Sequence, residues 1–98
     1  MAATTVDAQT PTDAPGSDPG MHIAQLRARI DEIDSTLVAL WRERAELSSR
    51  VGSTRVAAGG TRLVLARERE ILDRFRVALG DDGTQLALLL LRAGRGPL

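Results

Sequence analysis

A single long stripe of apolar residues limits what this chain can fold into. Between positions 23 and 51, apolar side chains recur at intervals of three and four, the spacing of one face of an α-helix. The stripe consists of Ile23, Leu26, Ile30, Ile33, Leu37, Leu40, Leu47 and Val51. The pattern predicts a first helix from about His22 to about Ala57, and about 36 residues at ~1.5 Å each span roughly 54 Å.

Such a helix is long for the domain that contains it. A compact domain of about 100 residues has a radius of gyration near ~13 Å, so the helix must extend beyond the core of its own chain. A second copy of the chain is the simplest partner for the projecting stripe, which predicts an intertwined, two-fold homodimer. Gly52 costs ~1 kcal/mol relative to alanine inside a helix. Close approach of another backbone would explain it, although such a glycine can equally be tolerated without a role.

Two arginines interrupt the stripe. Arg44 lies between Leu40 and Leu47, and Arg55 follows Val51 by one turn. Helical geometry puts the two arginines within roughly 20° of each other, near the middle of the apolar face, so both cations are predicted to point inward. Arginine keeps its proton in proteins, and an uncompensated buried charge costs several kcal/mol. A negative group must therefore meet these cations.

The rest of the chain predicts a second helix. Gly59-Gly60 ends the first one, because glycine adopts the left-handed conformation at a helix C-terminus without steric cost. A phosphate-binding loop is the alternative, but no Walker or Rossmann pattern surrounds the pair. The second helix is expected from about Leu63 to Leu79, and Gly80 closes it.

The third predicted helix carries an apolar run, LALLLL, at positions 86–91. Asp81, Asp82 or Thr84 can cap its N-terminus. The run is too short to cross a bilayer, and it reads as a buried core helix. Gly94, Gly96 and Pro97 are predicted to end this helix and to leave a short C-terminal tail. The predicted fold class is therefore all-α, with three helices per chain and a long first helix.

Composition excludes several kinds of function. With 13 basic and 13 acidic side chains, the chain has no net positive charge for nonspecific nucleic-acid binding. It has no cysteine and a single histidine, His22, so no disulfide, metal site or other cofactor is implied. The first 20 residues have little to bury and are predicted to be a disordered leader before a domain at 21–98. They also lack the features of a secretory signal, which predicts a cytoplasmic protein.

The predicted inward charges do not balance. The first helix supplies Arg44 and Arg55, the second supplies Arg67 at the edge of its apolar face, and Glu68 near the centre of that face is the one acid. An internal ion-pair network should come closer to balance, so a small dianion is the expected missing partner. The alternative is that Glu68 simply pairs with an arginine of the first helix, as buried carboxylates usually do.

Arg27 belongs to a different part of the first helix. It lies about 100° away from the face of Arg44 and Arg55, and more than ~25 Å from Arg44 along the axis. It cannot join their pocket from the same helix. In an antiparallel dimer it could enter the partner's pocket, and a solvated surface arginine is an equally good interpretation.

The chain shows no nucleophile with an adjacent base and no metal-ligand cluster, so an enzyme of this kind would work by positioning and electrostatics. At these residues the sequence resembles the all-helical chorismate mutases of the AroQ type. The matching segments are LRARIDEIDSTLVALWRERAEL at 26–47, VGSTR at 51–55 and GGTRLVLARERE at 59–70. The resemblance extends to residue 98 and is greatest to a short subclass with a Gly-Gly loop and a terminal LLLRxGRG segment.

This resemblance implies conversion of chorismate to prephenate, a unimolecular rearrangement that leads to phenylalanine and tyrosine and needs no cofactor. The substrate carries two carboxylates, must be held in a compact diaxial shape, and develops negative charge on its ether oxygen. The resemblance assigns Arg44 and the partner's Arg27 to the carboxylates. It assigns Arg55 to the ether oxygen and a neighbouring carboxylate.

The same resemblance implies that Arg67 positions the substrate and that Glu68 holds its ring hydroxyl, while Thr61 and Val64 line that end of the pocket. Two features depart from the family. Some members have an aspartate at the position of Val64, and others have a glutamine or glutamate late in the third helix, for which this sequence offers no counterpart.

The second departure predicts a site that is incomplete in isolation. The resemblance to the short subclass implies an enzyme that works poorly alone and is activated by DAHP synthase. The first helix and the C-terminal tail are the expected contact regions. The competing hypothesis is a noncatalytic helical module for dimerisation or partner binding. A helix-turn-helix DNA-binding protein fits poorly, because the charge is neutral and the first helix is very long.

Overall fold

The computed structural model describes residues 18–96, which form three helices and no strand. The helices are α1 at Pro19–Ala57, α2 at Leu65–Leu79 and α3 at Asp81–Arg95. The predicted all-α class, with three helices and a long first one, is confirmed. No helix within the described residues has both the length and the apolar composition of a membrane span.

Helix α1 begins three residues before its predicted start. The Asp18 carboxylate accepts a hydrogen bond of 2.9 Å from the Gly20 backbone N–H, which is the bond of an N-cap residue. Pro19 takes the first helical position, where its missing N–H costs nothing. The first 17 residues of the predicted leader lie outside the described part of the chain.

The Gly59-Gly60 pair ends α1 as predicted. Gly59 has a positive φ of 91°. Its N–H donates to the Val56 carbonyl at 3.0 Å, and the Gly60 N–H donates to the Arg55 carbonyl at 2.7 Å. These two bonds form a Schellman motif, which satisfies carbonyls that the helix itself leaves without partners.

The chain divides into two units within α1, Met1–Ser35 and Thr36–Leu98. In the first unit, Ile30 and Ile33 of the apolar stripe are 53% and 43% exposed. In the second, Leu37 and Leu40 are 59% and 55% exposed. Within each unit the stripe thus remains largely uncovered, and burying it would require apolar surface from outside that unit.

Helices α2 and α3 pack against each other across the short connection at Gly80. Gly80 has a positive φ of 72° and is itself the N-cap of α3, with no side-chain cap bond. The predicted capping role of Asp81, Asp82 or Thr84 is therefore wrong. The two aspartates instead lie in the first turn of α3, where their charge interacts favourably with the helix dipole.

The face of α3 that is buried in this chain carries small residues. Gly83, Ala87 and Gly94 are its buried positions. A Cβ atom at Gly83 would overlap the carbonyl group of Phe75, and one at Gly94 would overlap the Ser48 side chain. The helices therefore approach more closely at these points than any larger residue permits.

This packing corrects two predictions about α3. The LALLLL run is not buried on every side, because Leu86, Leu88 and Leu89 are 37–48% exposed while the small residues face inward. Gly94 does not end the helix. It lies inside α3, where it allows close contact with α1. The helix continues to Arg95 and is closed by Gly96, whose N–H donates to the Arg92 carbonyl at 2.9 Å.

The close contact at Gly83 predicts a large effect of a single methyl group. We expect Gly83→Ala to lower the free energy of unfolding by about 2 kcal/mol, because the obstructing atoms belong to the backbone and cannot move aside. Gly52→Ala is the matched control: its Cβ would meet only the Arg62 side chain, at an ordinary 3.6 Å. It should change stability by no more than about 1 kcal/mol. Urea unfolding of both variants tests this, and equal losses would contradict it.

Candidate active site

The second unit contains a cavity of about 500 Å³, a volume typical of small-molecule sites. Its walls come from α1, the following loop, α2 and α3. The lining residues are Arg44, Leu47, Ser48, Val51, Gly52, Arg55, Arg62, Val64, Arg67, Glu68, Ile71, Leu91, Gly94 and Arg95. The apolar members exclude water from part of the wall, which strengthens electrostatic interactions inside the cavity.

Five predicted site residues meet at this cavity: Arg44, Arg55, Val64, Arg67 and Glu68. Two further predicted residues do not line it. The Thr61 hydroxyl donates a hydrogen bond of 2.8 Å to the Leu63 carbonyl within the loop. Arg27 lies in the first unit, on an exposed part of α1. The functions assigned to both residues stay predictions.

Arg44 is the half-buried cation of the site. Its Nη1 donates a long hydrogen bond of 3.4 Å to the Leu90 carbonyl of α3. Burial lowers the pKa of Arg44 from its ordinary value, and the positive charges of Arg67 and Arg74 lower it further. The guanidinium still keeps its proton at neutral pH. The surroundings of Arg44 in this chain thus disfavour its charge, and a bound anion would stabilise it.

Arg55 and Arg67 are less enclosed than Arg44. Arg55 was predicted to point inward, but it is solvent-exposed although it lines the cavity. The neighbouring stripe residue Val51 is also exposed, at 59%, so this part of the apolar face is uncovered in this chain. Arg67 forms an exposed ion pair with Glu70, three positions along α2, at 2.7 Å. Such a surface pair contributes little and leaves Arg67 available to a stronger partner.

The carboxylate of Glu68 is already paired. Nη1 of Arg95 donates to Oε2 of Glu68, and both side chains are only about one-fifth exposed. The alternative prediction, that Glu68 pairs with an arginine of the first helix, is therefore right about the pairing and wrong about the partner. The acid is matched by a residue of α3 that had been placed in the C-terminal tail.

Arg62 is the second cation that sequence reasoning missed. It follows the Gly59-Gly60 pair in the loop, and its side chain lies over Gly52 of α1. Within this chain, the atoms that approach Gly52 are therefore those of a side chain. Among the described residues, neither Arg62 nor Arg55 has an ion-pair partner. Among the described residues that line the cavity there are five arginines and one glutamate, a formal excess of four positive charges.

Comparison with known proteins identifies the family. A family model described as chorismate mutase type II matches residues 26–89. The chain belongs to this family. The intracellular chorismate mutase of Mycolicibacterium smegmatis is 50% identical over 76 residues, which cover 78% of this chain and 73% of that protein. The intracellular chorismate mutase of Mycobacterium tuberculosis is 49% identical over 82 residues, which cover 84% and 77%.

A solved structure also resembles this type II chorismate mutase. It is a noncovalent complex of DAHP synthase and chorismate mutase from Corynebacterium glutamicum with a bound transition-state analogue. The matching chain is 39% identical, with a TM-score of 0.77 over 81% of this chain and 95% of that chain. Chorismate mutases are isomerases, so family membership decides against the noncatalytic helical module.

A chorismate mutase needs from its site what this cavity can provide. The reaction is unimolecular and requires no nucleophile, so the protein contributes restraint of geometry and stabilisation of developing charge. Guanidinium groups suit both tasks, because they bind carboxylates through paired hydrogen bonds and stay charged. The arrangement of Arg44, Arg55 and Arg62 around one cavity can therefore bind a dianion and polarise a leaving oxygen.

Proposed function

We propose that this chain converts chorismate to prephenate in the cavity of its second unit, in the biosynthesis of phenylalanine and tyrosine. The observation that carries the proposal is the unmatched positive charge of the cavity. Five arginines and one acid line it within the described part of the chain, and that acid pairs with Arg95. A dianionic substrate is the natural partner for the remaining cations.

Arg44 and Arg55 have the central roles in this proposal. Arg44 binds a carboxylate, which is supported by its partial burial and its lowered pKa. Arg55 binds the ether oxygen and a neighbouring carboxylate, and its lack of an ion-pair partner among the described residues leaves it free to do so. A cation at the ether oxygen interacts most strongly when the carbon–oxygen bond breaks, so it lowers the barrier selectively.

The ring hydroxyl is assigned to the other end of the site. One carboxylate oxygen of Glu68 accepts a hydrogen bond from Arg95, and its second oxygen can accept one from the ring hydroxyl. Arg67 positions the substrate, and Val64 and Thr61 contribute shape at this end. Because Val64 has no polar side-chain atom, Glu68 and backbone groups must provide all the hydrogen bonds there.

The working form of the enzyme is proposed to be an intertwined homodimer. The support comes from α1, whose apolar stripe is 43–59% exposed at Ile30, Ile33, Leu37 and Leu40. A continuous exposed stripe of this kind is typical of a helix that packs against another chain. In an antiparallel dimer the partner's Arg27 would bind the second substrate carboxylate.

DAHP synthase is proposed as the activating partner. The support is the likeness to a chorismate mutase solved in noncovalent complex with that enzyme. Both proteins would then act in the cytoplasm, which agrees with the word intracellular in the names of the relatives. Helix α1 and the C-terminal residues are the proposed contact regions.

Following chorismate disappearance with and without a cognate DAHP synthase tests the activity and the partner together. We expect the chain alone to convert chorismate to prephenate, and the synthase to raise kcat/KM by about 5- to 100-fold, the usual range of coupling between sites. Deleting Pro97 and Leu98 should remove most of this gain and leave the rate without the synthase unchanged.

A longer deletion from Arg95 serves as the comparison, because it also removes a cavity residue. It should lower the rate of the isolated chain as well. If the synthase has no effect on the full chain, the partner proposal fails while the activity stands. If chorismate is not consumed under either condition, the proposed activity fails.

A further inference from the structure

The Arg95–Glu68 pair differs from three other ion pairs formed between described residues. Arg29–Glu32, Arg67–Glu70 and Arg76–Asp73 each join residues three positions apart on one helix, and their side chains are 58–69% exposed. Such pairs contribute little. Arg95 and Glu68 are 27 positions apart, join α3 to α2, and have side chains only 21–22% exposed at the cavity wall.

The pair is not arranged for stability alone. Nε of Arg95 is buried, and no group of the described residues accepts a hydrogen bond from it. Leaving a buried donor unpaired is unfavourable, and such groups in native structures often belong to functional sites. The Arg95 side chain thus keeps an unsatisfied N–H while another of its nitrogens holds the Glu68 carboxylate.

The surroundings of Glu68 show what this contact prevents. Four other arginines, Arg44, Arg55, Arg62 and Arg67, line the same cavity, and Glu68 is the one acid among its described lining residues. A carboxylate on a flexible side chain surrounded by these arginines would pair with whichever of them it reached. Each such pair would turn the carboxylate away from the substrate and would occupy a cation that the substrate needs.

We propose that Arg95 is a positioning residue that occupies Glu68, keeps it away from the substrate-binding arginines and orients its second oxygen toward the ring hydroxyl. This inference rests on the proposed function, since it assumes that Glu68 contacts the substrate. Arg95 acts through Glu68 and needs no contact with the substrate itself. Its position at the end of α3 makes the last turn of that helix part of the site.

A double-mutant cycle in kcat/KM for chorismate tests the proposal. We expect Arg95→Met to lower kcat/KM by about tenfold and Glu68→Gln to lower it by about 10- to 100-fold. The double variant should be no worse than Glu68→Gln alone, because a residue that acts only through Glu68 has nothing left to position. Arg95→Lys should recover part of the loss, because it keeps a cation but not the planar guanidinium.

Arg92→Met is the matched control, since Arg92 lies one turn earlier on α3, is exposed and does not line the cavity. It should leave kcat/KM unchanged. Melting temperatures report folding, and if Arg95→Met does not fold, Arg95→Lys replaces it in the cycle. Losses that multiply in the double variant would overturn the inference, because Arg95 would then act independently of Glu68. No loss in either Arg95 variant would also overturn it.

The same measurements separate this inference from the proposed function. If Glu68→Gln lowers the activity while the Arg95 variants have no effect or an independent one, the site stands and only the positioning role fails. If Glu68→Gln and Arg44→Met both leave the activity unchanged, the proposed site itself is wrong and the inference fails with it.

Discussion

Replacing Arg44 by methionine is expected to lower kcat/KM for chorismate by about 10²- to 10³-fold, the cost of removing one member of a desolvated charge pair. The melting temperature of the free protein should stay the same or rise slightly. Burial and neighbouring arginines disfavour the Arg44 cation, and its hydrogen bond to the Leu90 carbonyl is long. Activity and stability should therefore respond differently to the same substitution.

Prephenate binding provides a second measurement for the same variant. The product is a dianion, so at about 100 times its Kd it should stabilise the wild-type protein by about 2.7 kcal/mol. Arg44→Met should lose most of this stabilisation. Arg42→Met is the matched control, because Arg42 lies about 200° around α1 from Arg44 and outside the cavity. Equal kcat/KM for Arg44→Met and wild type would exclude the proposed site.

The part of the site that lies on one helix could be predicted from the sequence. Within a single helix, the angle between two side chains depends only on their spacing, so Arg44 and Arg55 could be assigned to one face without knowledge of the packing. The same reasoning put Glu68 at the centre of the apolar face of α2. All three residues line the cavity.

The contributions of the loop and of α3 could not be predicted in this way. The position of Arg62 depends on the path of the loop after Gly60, which helical periodicity does not determine. The role of Arg95 depends on how closely α3 packs, and the leucine run suggested a helix buried on every side. The spacing of Gly83, Ala87, Leu91 and Arg95 at intervals of four was the available signal, since it puts Arg95 on the face with the small residues.

That error has a physical basis. Hydrophobicity favours burying the leucines, whereas close contact between helices selects residues for their small size. Where the two requirements conflict on one short helix, the leucines are left for another surface to cover. The exposed stripe of α1 is a similar case, since the length of a helix can be read from the sequence but its partner cannot.

Two inactive variants, Arg27→Met and Arg44→Met, are expected to restore activity when one copy of each is combined in a dimer. If Arg27 serves the partner's pocket, one site of this heterodimer has an intact Arg44 and receives an intact Arg27. The other site lacks both. The isolated heterodimer should therefore have about half the activity of the wild-type dimer, although each variant alone has lost most of its activity.

Coexpression with two different affinity tags allows the heterodimer to be purified and assayed. Combining Arg44→Met with Arg55→Met is the matched control, because both residues line the cavity of the same chain. Each site would then keep one defect, and activity should not return. Recovery in the first heterodimer and not in the second requires a site shared between two chains. No recovery in either would place Arg27 outside the partner's site, and full activity of Arg27→Met alone would make it a surface residue.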